Sequence, residues 1–172
     1  MKRGVLRLVA MLSVVLLVSG CSASPSVEPI TSGFACHTAM QYRDMAVEGE
    51  LTCSVDGRAT LAFTLPKSLQ GVTLGWDGSG MTMELGGMRM AVPTEKVPES
   101  ALIRCLLTVL TATHPTGDLT DDGYVIDGQV EHLTYTLVCD PTSGLPLSLS
   151  IPDEPLEAVF TDMTRLSESP QS

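Results

Sequence analysis

Sulfur is the chemically versatile element in this chain, which carries 5 cysteines and 9 methionines in 172 residues. Cys36, Cys53, Cys105 and Cys139 form an even set within the body of the sequence. In an oxidising compartment such a set is read as disulfides, with three connectivities open to it. A tight turn at Asp44-Met45 sets residue 43 opposite 46, and with it Cys36 directly opposite Cys53. That leaves Cys105 and Cys139 as a helix-to-sheet staple. The alternative is four buried thiols. Zinc is disfavoured, because there is no Cys-x-x-Cys and His37, next to Cys36, points to the opposite strand face.

Met81-Thr82-Met83 and Met88-Arg89-Met90 fall on neighbouring predicted strands. Thioethers fill irregular cores, line pockets that adapt to varied apolar ligands, or bind Cu(I). Core and adaptable pocket are the readings carried forward, and no metal or cofactor is expected. Phe63, Trp76, Tyr135 and Phe160 alternate along strands onto the same inward face, and Leu106 meets them from a predicted helix. These five and the four methionines are the candidate pocket wall.

Enzyme chemistry finds little to work with. The 3 histidines, His37, His114 and His132, are scattered over two strand faces and a helix end. No Gly-x-Ser-x-Gly elbow, phosphate-binding glycine loop or His-Glu-x-x-His is present. Asp118, Asp121 and Asp122 are the one tight acidic group, and they lack the spacing of a calcium loop. The chain is expected not to be an enzyme.

The N-terminal segment gives the address. Lys2, Arg3 and Arg7 precede an apolar run over residues 8–18, too short for a membrane span. Val18-Ser19-Gly20-Cys21 is similar to the lipobox of bacterial lipoproteins. That resemblance implies cleavage before Cys21 and lipidation of its thiol, and hence an anchor on the extracytoplasmic face of the cell membrane. Removing residues 1–20 takes away three cations and no acid, so a net charge of −10 becomes −13. Such acidity disfavours nucleic acid and suits a solvated surface. Residues 22–33 are rich in Ser and Pro and read as a tether, and 165–172 as a flexible tail. One domain, expected to be monomeric, is left between 34 and 164.

The scaffold for these groups is mostly β. Apolar residues alternate over 36–45, 49–55, 59–65, 72–76, 81–85 and 88–92, with turns at Asp56-Gly57, at residues 77–80 and at Gly86-Gly87. The period then changes. From 101 to 112 only Arg104, Thr108 and Thr111 break an apolar run, and they fall on one narrow stripe of a helix. His114-Pro115 ends it. Alternation returns over 123–127, 131–139, 147–151 and 156–160. The fold class is α+β, a curved antiparallel β-meander or half-barrel wrapped around a central buried helix.

This layout, with residues 140–146 reading Asp-Pro-Thr-Ser-Gly-Leu-Pro before a strand, resembles the LolA/LolB/LppX-type lipoprotein carriers. The turn looks like that superfamily's Asp-x-x-Thr-Gly-x-Pro, with Ser143 in place of Thr. Residues 65–71, Leu-Pro-Lys-Ser-Leu-Gln-Gly, resemble the loop after an early strand in small lipoproteins of this sort. The resemblance implies an unclosed barrel holding a lipid, an acyl chain or another hydrophobic ligand between sheet and helix. The alternative is a filled-core domain of the same fold that binds or senses a protein at the cell surface.

Overall fold

The computed structural model describes residues 30–166. The leader, Cys21 and most of the tether lie outside the described residues, as do residues 167–172. Eleven strands form one antiparallel sheet. In chain order they are β1 Phe34–Tyr42, β2 Met45–Cys53, β3 Ala59–Leu65, β4 Val72–Trp76, β5 Gly80–Leu85 and β6 Met88–Pro93. After the helix α1, Leu102–Leu110, come β7 Asp118–Thr120, β8 Gly123–Val130, β9 Leu133–Cys139, β10 Pro146–Ile151 and β11 Leu156–Arg165.

The spatial order is β6-β5-β4-β3-β2-β1-β11-β10-β9-β8-β7. The first and last strands therefore lie side by side in the middle, and β6 and β7 form the two edges. The connection carrying α1 joins one edge to the other. It crosses the concave face, which is where an apolar helix finds the most surface to bury against. Seven of the nine helix residues are buried, and Arg104 and Thr108 mark the polar stripe. Arg104 donates to Val97 O at 2.9 Å and Thr111 Oγ1 to Leu107 O at 2.7 Å, so the stripe satisfies backbone near both ends of the helix. The expected half-barrel with a central helix is observed, with far more sheet than helix. β7 was not foreseen, because Asp118-Leu119-Thr120 is too short to show a period.

Strand alternation sets the two faces. On β1, Phe34, Cys36, Thr38 and Met40 point inward; on β2, Val47, Gly49, Leu51 and Cys53 do. The expected turn is corrected by two residues in register. Tyr42 pairs with Met45 around Arg43-Asp44, so Cys36 faces Leu51 and Cys53 faces Phe34. Arg43 fixes this turn: it takes φ 54°, donates its N–H to Pro155 O at 2.8 Å and reaches Glu154 at 2.9 Å. Cys36 and Cys53 are diagonal rather than opposed, and the four described cysteines are free thiols. Nor do Cys105 and Cys139 form a staple. Cys105 donates to Glu99 O at 3.2 Å, near the end of the sheet where Arg43 and Glu154 meet. Cys139 pairs with Tyr124 and Pro146 at the opposite end of β9.

Two local features shape the faces. Between β2 and β3 the register slips, with Gly49 opposite Phe63 but Glu48 opposite Leu65. This bulge turns Leu65 to the outer face. On the other meander, Tyr135 lies across from Gly128, where a Cβ would strike its ring. The missing side chain makes room for the aromatic to lie over the strand. The 140–146 segment is a turn closed by Asp140, whose carboxylate accepts from Thr142 N at 3.1 Å and Ser143 N at 2.6 Å.

Candidate apolar binding face

The inner face of the sheet has two parts. The first runs from β8 through β11 and β1 to β3; its inward side chains are buried, and α1 packs over its β9 side. Here Leu106 is fully buried, and Tyr135 and Phe160 are almost so. The inward side chains of these strands and of the helix are nearly all buried and form one core cluster, so the chain's own side chains occupy the space where a cavity between sheet and helix was expected. Leu106, Tyr135 and Phe160 are therefore core residues and not an open pocket wall. Thr38 is the one buried polar residue of the described core, and its Oγ1 finds no partner among protein groups.

The second part is a wing made of β4, β5 and β6. The register lines up Trp76 with Met81 and Val92, Leu74 with Met83 and Met90, and Val72 with Leu85 and Met88. All nine are apolar and share the inner face, yet cover is lost outward. Val72 is buried; Leu74, Trp76, Met81 and Met83 are half-buried; Leu85, Met90 and Met88 are 45%, 50% and 72% exposed. Phe63, on β3, sits at the boundary and is buried. The outer row of the wing is polar by contrast, with Glu84 and Arg89 ion-paired at 3.3 Å. Thus five of the nine predicted wall residues come together on an uncovered surface. Val72, Leu74, Leu85 and Val92 were missed as wall residues, although the same alternation places them on this face.

A further groove, of about 590 Å³, lies on the outer face. Ala39, Ala46, Val159, Leu65 and Pro66 floor it, and Glu48, Glu157 and Lys67 stand at its margin. Sequence pattern could not reveal it, because Leu65 reaches that face only through the bulge.

The titratable groups of the described residues include buried thiols and separated histidines. Burial pushes the thiols of Cys36, Cys53 and Cys139 up to about 12 and that of Cys105 to about 11, so none is a ready nucleophile. His37 lies on the outer face, hydrogen-bonded to Glu50 at 3.0 Å, and this bond raises its pKa. His114 packs edge-on against Tyr135, bonded through Nδ1 to Tyr135 Oη at 2.9 Å, and burial lowers its pKa. His132 sits in the turn between β8 and β9, not on a strand. Among the described residues no group of three His, Cys, Asp or Glu side chains could hold a metal ion. No described helix is long and apolar enough to cross a membrane.

These features define a class of fold: an unclosed antiparallel half-barrel with a helix in its concavity. The chain is similar to an uncharacterized conserved protein from Thermus thermophilus, at 9% identity over 81% of this chain and 82% of that one, with a TM-score of 0.52. It also resembles a LolA superfamily protein from Nitrosomonas europaea (8% identity, 84% and 90% covered, TM-score 0.42). A third similar structure is LprF from Mycobacterium bovis (12% identity, 85% and 92% covered, TM-score 0.40). The half-barrel expected from the layout is met as a likeness of fold to the Thermus thermophilus protein. No family model matches the chain, and no curated protein matches it in sequence.

Proposed function

We propose that this protein is a non-enzymatic lipoprotein, anchored through Cys21 to the extracytoplasmic face of a membrane, that binds a lipid or acyl chain. The binding surface is the inner face of the β4–β6 wing rather than a cavity beneath the helix. The observation that carries this reading is the apolar inner face of the wing, buried at Val72 and progressively exposed out to Leu85, Met90 and Met88, continuous with the core at Phe63. An apolar chain laid along Met83, Met90, Leu85 and Met88 removes from water a surface that the protein leaves exposed. Flexible methionines suit ligands of varied shape.

The test uses the full-length chain in detergent and its single tryptophan, Trp76. Titration with a long-chain fatty acid is expected to change Trp76 emission saturably. Met88→Asp with Met90→Asp, which puts two charges on the wing, is expected to weaken binding by about tenfold or more. A variant that titrates like the wild type moves the ligand elsewhere, and no saturable response in the wild type sinks the reading. The anchor is tested separately by Cys21→Ser, which is expected to shift the protein from the membrane to the soluble fraction.

A second reading rests on β6 itself. Among the described strands it pairs only with β5, and so presents an open edge to which an extended segment of another protein could add a strand.

A further inference from the structure

The wing places four thioethers in a row, with Met83 and Met90 at its centre and Met81 and Met88 on either side. Met83 stands directly across from Met90, Met81 is diagonal to Met90, and Met88 is diagonal to Met83. Directly opposed strand residues hold their Cβ atoms about 4.5–5.5 Å apart and diagonal ones lie about 7–8 Å apart, within reach of long side chains. Methionine is unbranched with three rotatable bonds, so sulfurs starting from such positions can converge above the strand pair. The residues between them, Thr82, Glu84, Arg89 and Ala91, belong to the outer rows, where Glu84 and Arg89 pair with each other. The inner face of β5 and β6 therefore offers sulfur and hydrocarbon and no oxygen or nitrogen side-chain ligand.

That donor set selects a soft, monovalent ion. Thioethers bind Cu(I), whereas calcium and magnesium need oxygen and zinc needs imidazole, thiolate or carboxylate. Met88 and Met90 are exposed, so an ion can arrive without the fold opening. Trp76 stands across from Met81, and an indole face attracts a nearby cation. The chain's net charge of −10 favours the approach of cations in general. We propose that Met83 and Met90, with a third thioether from Met81 or Met88 on either side, form an all-thioether site for Cu(I) on the inner face of β5 and β6. This site does not depend on lipid binding, although the two ligands share a surface and would compete for it.

The experiment titrates the full-length chain in detergent with Ag(I), a redox-inert stand-in, and with Cu(I) under anaerobic reducing conditions. Trp76 emission and native mass spectrometry report binding. One ion per chain is expected, with saturable quenching. Met83→Leu with Met90→Leu keeps the apolar surface and removes two sulfurs. Since loss of an outer-shell partner alone costs about 10–100-fold in metal affinity, loss of two ligands is expected to cost at least about 100-fold. Met88→Leu alone is expected to weaken binding by a smaller factor while leaving thermal stability unchanged. Fatty-acid binding survives in both leucine variants if the wing takes lipid, so the two readings fail separately. Unchanged ion affinity in the double leucine variant places the ion elsewhere on the chain and overturns the proposal, as does the absence of saturable binding to the wild type.

Discussion

The helix-covered region and the wing are parts of one sheet, with the same hydrogen-bonding pattern and the same alternation. They differ in what lies over them. An α-helix of nine residues is about 13.5 Å long. Eleven strands have ten spacings of about 4.8 Å, or roughly 48 Å measured along the sheet. A helix of that length roofs only a few strands, and α1 sits over the side near β9 and β1. The inner apolar face of β4–β6 is left over. Alternation thus decides which side chains face inward, while the length of the crossover decides which of them are buried.

The sharpest way to break this comparison is a pair of truncations. Leu106→Ala, in the covered half, is expected to cost about 3 kcal/mol in denaturant unfolding, within the range for buried leucines. Met90→Ala, on the wing, is expected to stay within about 0.5 kcal/mol. A large loss from Met90→Ala would mean that something covers the wing in solution. Gly128→Ala comes next, because its new Cβ meets the Tyr135 ring. Crowding of this kind costs about 1–3 kcal/mol, and Gly128→Ala combined with Tyr135→Leu is expected to recover part of it.

Smaller effects sharpen the picture from inside the covered half. Thr38→Val keeps the shape and removes a buried hydroxyl without a partner, so it is expected to raise stability by about 1 kcal/mol. A loss on that substitution would reveal a hydrogen bond to a group other than those described. Finally, two histidines titrate in opposite senses. Burial holds His114 below its ordinary pKa, so its neutral form contributes stability above about pH 6.5 that is lost as the pH falls. His37 is raised by its bond to Glu50, so its contribution is present below about pH 6.5 and is lost as the pH rises through its folded value. Thermal melts from pH 5 to 8 are expected to show a smaller acid loss for His114→Gln and a larger one for His37→Gln. Parallel shifts in both variants would remove the assignment.

Much of this was legible from local pattern. Ala59–Leu65 and Val72–Trp76 form strands where alternation put them, and the Arg104, Thr108, Thr111 stripe correctly announced a helix buried on its remaining sides. Pattern also put Met81, Met83, Met88, Met90 and Trp76 on one face. It could not say that Leu106 on the helix and Tyr135 and Phe160 on the sheet, equally apolar and equally inward, are buried while the methionines are partly open to solvent. That distinction depends on strand order, and the pairing of β1 with β11 has no local signature. The Cys36–Cys53 register failed for a related reason. Nothing within the hairpin shows that Arg43 is drawn to Glu154, which lies 111 residues along the chain, and that contact fixes the turn.

The central position of β1 has a mechanical consequence. Leu166 N donates to Gly33 O at 2.9 Å, so the described chain enters and leaves the fold at adjacent points. Any pull exerted through the residues before Phe34 is delivered to a strand held by β2 on one side and β11 on the other. Two ladders share that load along their length, and many bonds must yield together. The same pull on β6 would meet a single ladder. If the chain is held through its N-terminus, as proposed, it is gripped where its sheet is doubly bonded, away from the wing.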